Sequence, residues 1–428
     1  MSFVYRLYAV TGPKIRSDPP NIYVVKSDIP CGKNMNLKEK LEDSYRENYR
    51  LITTDRMLQT FMVCVFSLLV AVIVWCWFYS GFGDAEEYYL IAERFLSGKF
   101  SYGELGTDLP PLVVLLLIPP KLFSYSPEVF CVLFSLYGFA FFMLGGHFML
   151  KSCRETGYSE RDAYIVLLVT FLCSLSFLTV GTGSFCAAFV IMSLWFYHVR
   201  NYTVSFILLA LAVMAGFYPV VLFIILLIVL LRSRRLTEAR LGILLFFLIC
   251  VALWFFPTHN LGEIPFITLP DEAGYDSCLG WLYSLLDWYP SADSQFGTVI
   301  GITCVFTLFS AVQIRRSELS MNAPALVLAV ALCLSLILFP VFAPMQYVWI
   351  AMLFPMTQMT SATFVRQKWT YAAFGVFSVA SLICGFGQLE GTPFDAVSLV
   401  RTAGLVAFMY LMVWEMNSSP DSFELPMK

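Results

Sequence analysis

The chain is poor in charge. Charged residues make up 13% of its 428 residues while 59% are hydrophobic, and the mean hydropathy is +0.74. That balance excludes a soluble globular domain of this length, in which about a quarter of the residues are charged. Histidine is nearly missing: His147, His198 and His259 lie far apart, which argues against a metal site built on them. The 12 cysteines contain no CxxC pair and sit mostly inside apolar runs, so neither a zinc site nor a disulfide framework is read. No cleavable signal peptide opens the chain, because residues 1–57 are polar and carry ten Lys and Arg residues. The apolar runs lack strict alternation, which excludes a membrane β-barrel.

Apolar runs of about 20 residues, the length that crosses a bilayer core, fill most of the chain. The fold class is therefore an all-α polytopic membrane protein of about twelve transmembrane helices, with interfacial helices in its outer loops. The spans are read at 58–80, 109–125, 128–150, 162–180, 183–199, 203–231, 240–256, 297–314, 322–342, 345–363, 369–386 and 396–415. An N-terminal segment, 1–57, precedes the membrane domain 58–415, whose outer loops are 81–108 and 257–296, and a tail, 416–428, follows it. With that alternation 20 of the 27 Lys and Arg residues fall on the side of the two termini and 7 on the other. By the positive-inside rule both termini are cytoplasmic. The basic loop KSCRETGYSERD, 151–162, stands against the pattern, since it falls outside. The outer face carries 17 acids, which excludes nucleic acid as a partner there.

Six of those acids crowd one outer loop: Asp84, Glu86, Glu87, Glu93, Glu104 and Asp108. Within it Ala85, Tyr88, Tyr89, Ala92, Phe95 and Leu96 recur at helical spacing, which predicts a helix along the membrane surface with that stripe facing down. Gly98 suits its stop, and Pro110 and Pro111 suit the first turn of the next helix. Asp84 followed by Glu87 reads as a capping box for the surface helix; it also leaves a carboxylate at the membrane boundary. Asp108 before the double proline reads as a cap or as a group that orients a substrate. The second outer loop is rich in aromatics, and its SCLGWLYSLLDWY stretch predicts another surface helix. Two such loops would roof a cavity. His259 opens that loop without a motif around it and reads as structural, or else as a group that assists proton transfer. Residues 36–50 can form a charged helix in the N-terminal segment. Asn201-Tyr-Thr is a glycosylation sequon on the predicted outer side.

Four stretches carry a family resemblance. Asp84-x-x-x-Tyr88, Ala92, Gly98, Tyr102 and Asp108-Leu-Pro-Pro-Leu112 resemble the first outer loop of the GT-C superfamily of membrane glycosyltransferases. Within it the nearest match is glycosyltransferase family 87, the polyprenyl-phosphate-mannose-dependent mannosyltransferases. Gly181-Thr-Gly-Ser-Phe185 resembles a Gly-x-Phe segment, Gly216-Phe-Tyr-Pro219 a Lys-x-Tyr-Pro helix, and Phe342-Ala-Pro-Met-Gln-Tyr-Val-Trp349 a Gln-Tyr-x-x-Trp helix. The similarity runs from about residue 58 to residue 365. Three positions depart from it: Gly216 stands for lysine, Cys186 for an acid, and Leu109 for an aromatic residue.

The resemblance implies an inverting transfer of a hexose, mannose favoured, from a polyprenyl-phosphate sugar to a lipid-linked or glycan acceptor on the outer face of the cell membrane. Asp84 becomes the candidate general base, taking the acceptor's proton as it attacks. Tyr88 and Asp108 join it as substrate-binding candidates. Leaving polyprenyl phosphate wants positive charge nearby, and a guanidinium can hold it, so no metal or other cofactor is needed in principle. Arg401, about one turn inside the last span, is the candidate phosphate contact; the other reading is a side chain snorkelling to the headgroups. Gln346, Tyr347 and Trp349 are candidates for the sugar, or members of an interfacial aromatic belt. The competing functions are a secondary transporter or lipid flippase, for which broken helices near Tyr218-Pro219 and Gly181-Thr-Gly-Ser184 would be the expected sites, and a non-catalytic relative.

Overall fold

The computed structural model describes residues 56–80, 85–107, 109–156, 160–178, 183–258, 292–313, 322–338, 345–357, 364–390 and 395–418. Asp84, Asp108, His259, the 36–50 segment and the expected surface helix of the second outer loop lie outside them. The chain divides into two units, Met1–Gln59 and Thr60–Lys428; the first contributes only the opening turn of α1 to the described residues.

Among the described residues the protein is all helix. The helices are α1 (Arg56–Trp75, continued as a π-helical turn Cys76–Ser80), α2 (Ala85–Leu96), α3 (Tyr102–Leu105), α4 (Pro111–Leu116), α5 (Ile118–Leu122), α6 (Pro127–Thr156), α7 (Glu160–Leu178) and α8 (Gly183–His198). They continue with α9 (Tyr202–Ala215), α10 (Val220–Arg232), α11 (Leu236–Thr258), α12 (Ala292–Gln313), α13 (Asn322–Leu338), α14 (Met345–Thr357), α15 (Phe364–Glu390) and α16 (Asp395–Ser418). Four of them, α1, α6, α11 and α16, are long and apolar enough to cross a membrane by length and composition. Exposed Val, Leu and Phe side chains along α1 and α11 suit a lipid surround, and the protein is an integral membrane protein.

Side-chain contacts fix how the helices run. Phe141 meets Phe189, and Phe148 meets Trp195 and Phe196, so α6 and α8 run the same way. Cys186 reaches the Ala212 carbonyl while Ser193 and Ser205 exchange hydrogen bonds, so α8 and α9 are antiparallel. A Cβ on Gly242 would lie 2.7 Å from the Tyr202 carbonyl oxygen, and Phe246 meets Phe206. α9 and α11 are therefore parallel, and α10 must return between them. Tyr347 bonds Ser378 while Phe354 meets Tyr371, so α14 runs against α15; Phe374 meets Phe408 while Gly404 meets Phe377, so α16 also runs against α15 and hence with α14.

Two expected spans differ from the structure. Residues 109–125 are no span: α4 and α5 are 6 and 5 residues long and break at Leu117. Pro119 and Pro120 prevent one continuous helix, because each lacks the N–H that a helix interior needs. α5 instead folds back onto α2. The Lys121 Nζ sits 3.3 Å above the Tyr89 ring and 3.5 Å from Glu93 Oε1. The apolar run 203–231 is two helices, α9 and α10, of 14 and 13 residues. At ~1.5 Å per residue each is about 20 Å long, short of a bilayer core of ~30 Å.

The surface helix forms as the spacing predicts on most of its face. Tyr88, Tyr89, Ala92 and Phe95 are buried, and Tyr88 and Tyr89 stand edge-on to Phe134 and Phe130 of α6. Leu96 is exposed instead. Gly98, at φ 91, turns the chain out of α2. Arg94 Nη1 donates to the Leu105 carbonyl at 2.7 Å, and Ser101 with Glu104 forms a capping box at the start of α3. Residues 85–122 are thus a platform of four short helices held against the start of α6.

Candidate functional site

The turn Gly216–Pro219 is the one place where two short helices meet inside the apolar run. α9 ends because Pro219 disfavours helical backbone at Tyr218 and brings no N–H of its own. Gly216 takes an extended backbone (φ −176, ψ 142), and its N–H closes on the Ala212 carbonyl at 3.0 Å. α10 then restarts with Phe223 N donating to the Pro219 carbonyl. Non-helical backbone at membrane depth is tolerated only where protein buries it or it lines a watered cavity. Here protein buries it, since Gly216 and Pro219 are both buried.

Three elements converge on it. From α8, fully buried Cys186 donates its thiol to the Ala212 carbonyl at 3.3 Å. A Cβ on Gly216 would stand 3.0 Å from the Cys186 sulfur and 4.0 Å from Cζ2 of Trp349 on α14. An extended φ suits any residue, so space alone constrains position 216. The Tyr218 ring stacks on that of Trp349 with centroids 4.1 Å apart at 26°. Both residues are half-buried, but their polar atoms are covered. Trp349 Nε1 has no hydrogen-bond partner among the described residues. The Tyr218 hydroxyl meets the Cys186 thiol in a loose side-chain hydrogen bond. An unmet buried donor costs ~1–3 kcal/mol, which is why native proteins keep few of them.

Arg401 lies at the same depth. Phe354 of α14 packs on Phe408 of α16, and Tyr347 and Arg401 each stand seven residues before those two. Arg401 is only 2% exposed, one of the largest fully buried side chains. It is enclosed by protein, not reaching for headgroups. Burying a guanidinium is costly unless other groups meet it, which makes this position a functional candidate in its own right.

The remaining candidates separate. Tyr88 is buried on α2, at the platform. Tyr347 is fully buried, and its hydroxyl donates to Ser378 Oγ of α15 at 2.9 Å, so its ring is committed to the α14–α15 packing. Trp349, two residues on, faces the turn. Gln346 lies in the first turn of α14, and its side chain is outside what is described. Among the opening loop's acids Glu93 pairs with Lys121, Glu104 caps α3, and Glu86 and Glu87 are exposed. Sequence reasoning missed Lys121, read as a charge on the far side of the membrane, and it missed that Cys186 and Gly216 touch. The signal for the second was present in two departures from one resemblance. Among the described residues no group of three or more His, Cys, Asp or Glu could hold a metal ion.

No family model and no curated protein matches the chain. Among solved structures it is similar to the crystal structure of ArnT from Cupriavidus metallidurans bound to undecaprenyl phosphate. The identity is 13% and the TM-score 0.42, over 82% of this chain and 77% of that one. A likeness this faint assigns no residue or substrate to the chain.

Proposed function

We propose that the protein is a GT-C-type membrane glycosyltransferase. In this reading it moves a hexose, mannose favoured, from a polyprenyl-phosphate sugar to a lipid-linked or glycan acceptor, with inversion. The observation that carries the reading is a convergence. Three stretches that bear the resemblance, around residues 186, 216–219 and 349, are far apart in sequence and meet at one depth in the fold. Residues 85–122, which hold most of the fourth stretch, form a surface platform at the start of α6.

The chemistry follows from the residue types. Asp84, at the outer end of α1 before the platform, takes the proton of the acceptor hydroxyl as that oxygen attacks the anomeric carbon. The bond from that carbon to the phosphate oxygen breaks on the opposite side, and the phosphate leaves with the negative charge. Arg401 would offset that charge from within the bundle, where low dielectric strengthens the interaction. No metal enters the step.

The orientation follows from correcting the spans. With 109–125 at the surface and 203–231 folded as a hairpin, Lys151, Arg154, Arg161 and Arg200 move to the side of the termini and Lys121 leaves it. That puts 23 of the 27 Lys and Arg residues inside and leaves Arg94, Lys99, Lys121 and Arg401 outside. The basic 151–162 loop ceases to be an exception. Both termini are then cytoplasmic and the platform faces outward, as befits an enzyme of the cell membrane.

The test is sugar transfer by purified protein, offered labelled polyprenyl-phosphate mannose and then glucose, with extracted membrane glycolipids as acceptors. Transfer by the wild type and its loss in a folded Asp84→Asn variant is the expected result. Transfer that survives the substitution would leave Asp84 a helix cap. The half-depth turn also suits a transporter, and protein-driven movement of the lipid between leaflets without any transfer would favour that reading.

A further inference from the structure

We propose that the ends of α6 and α8 form a site for the phosphate group of an anionic phospholipid, with Lys151 and Arg154 on the headgroup and an apolar strip beneath them for an acyl chain. The inference goes beyond the glycosyltransferase reading and does not depend on it. His147, Lys151 and Arg154 lie at i, i+4 and i+7, so the last turns of α6 present three basic side chains on one face. Leu144, seven residues before Lys151, shares that face and is 39% exposed, so the face looks outward from the bundle. At this end α8 lies alongside, because Phe148 meets Trp195 and Phe196. The cations therefore line a seam between two helices, not the rim of a loop.

A lysine that only escapes the membrane extends its head toward water. The Lys151 ammonium instead lies 4.9 Å from the ring centroid of Trp195, a buried side chain that also packs on Phe148 one turn deeper. Among the described residues Lys151 makes no ion pair. Along α8 and the second half of α6 the only acid is Glu155, and its carboxylate is 3.2 Å from His198 Nε2. An aromatic face meets part of what a cation at this depth needs; a phosphate oxygen supplies the rest. Below the cations, Leu144 is exposed and Phe148 and Phe196 are half-buried, an apolar strip that runs from the ammonium toward the membrane centre. A soluble anion would use the charge and leave the strip bare; a phospholipid uses both. In the proposed orientation this end lies in the cytoplasmic leaflet, where anionic lipids collect.

The test uses the full-length protein in a neutral detergent, with wild type, Lys151→Gln, Lys151→Arg and Arg240→Gln compared. Arg240 is an exposed arginine near the start of α11, outside the seam, and controls for charge in general. Binding of phosphatidylglycerol, phosphatidylcholine and inorganic phosphate is followed by native mass spectrometry and by the rise each gives in melting temperature. The wild type is expected to hold phosphatidylglycerol about tenfold or more tighter than phosphatidylcholine, and to respond to inorganic phosphate weakly. Lys151→Gln should lose about fivefold of that preference, the worth of one cation toward an anionic headgroup, while Lys151→Arg and Arg240→Gln keep it. The readout is a ratio between two lipids, so a variant that is only less stable does not imitate the loss. A wild type without preference for the anionic lipid overturns the inference, and so does an unchanged preference in Lys151→Gln. An equal loss in Arg240→Gln overturns the site in favour of the basic face as a whole. A rise with inorganic phosphate equal to that with the lipid overturns the phospholipid as its ligand.

Discussion

At the scale of single residues, Gly216 and Cys186 offer the sharpest prediction. Gly216 is extended, so alanine there meets no backbone strain, only the Cys186 sulfur at 3.0 Å. Gly216→Ala should destabilise the protein by ~1–3 kcal/mol, the usual cost of overpacking a tight site. Cys186→Ala alone gives up a buried thiol and its bond to Ala212, and should also destabilise. Together the two changes should cost less than their sum, because the methyl group at 216 occupies part of the space the sulfur leaves. Thermal unfolding of the four proteins in one detergent measures the cycle; strict additivity would show that the two residues do not share a site. This contact was half-legible in the sequence. The motif spacing singled out both positions as departures, but nothing in a linear chain says that residues thirty apart fill one hole. The same holds for Tyr347 and Trp349. They are two residues apart on α14, so they face different ways, and only packing tells that one bonds Ser378 and the other stacks on Tyr218.

At the scale of elements, the pair α9–α11 depends on Gly242. A Cβ there would fall 2.7 Å from the Tyr202 carbonyl oxygen and 3.0 Å from the Thr203 Cα. Both are backbone, so no rotamer change relieves the clash and the two helices must separate. Gly242→Ala should therefore cost more than Gly216→Ala, on the order of 3 kcal/mol or above, since side-chain repacking cannot absorb it. A variant that melts within a degree of the wild type would show that α9 and α11 are looser than their contact implies. The elements themselves were largely readable. Period and composition located the surface helix α2, and Gly98 its end. The two errors have physical causes. Residues 109–125 are as apolar as a span, but Pro119-Pro120 breaks the helix and Lys121 finds Glu93 and Tyr89 on the platform. In 203–231 hydropathy cannot tell one long span from a hairpin buried in protein, so the break at Gly216–Pro219 alone does not reveal two helices.

At the scale of the whole molecule, those two corrections act together in the proposed arrangement. Residues 109–125 no longer cross, and 203–231 enters and leaves on one side, so every connection between them changes sides. In the proposed orientation the loop after α6 and the turn at Arg200 are cytoplasmic, and the Leu122–Tyr125 corner faces outward. Asn201 then faces the cytoplasm, and its side chain already caps α9 by accepting from Val204 N at 3.4 Å, so the sequon should carry no glycan. The decisive experiment compares Tyr125→Cys with Glu155→Cys in intact cells expressing the protein, using a membrane-impermeant maleimide and the native cysteines as background. Tyr125 is 100% exposed and the Glu155 side chain 45%, so both new thiols should be open to solvent and differ only in side. Label above background at 125 and not at 155, with both labelled after permeabilisation, is expected. The reverse pattern would put the platform in the cytoplasm, where the 23 positive charges would have to be outside, against the field that orients membrane proteins. It would also strand Asp84 on the wrong face for a donor presented outside. Labelling at both positions before permeabilisation would mean that an even number of crossings separates them, and that α6 does not traverse the membrane.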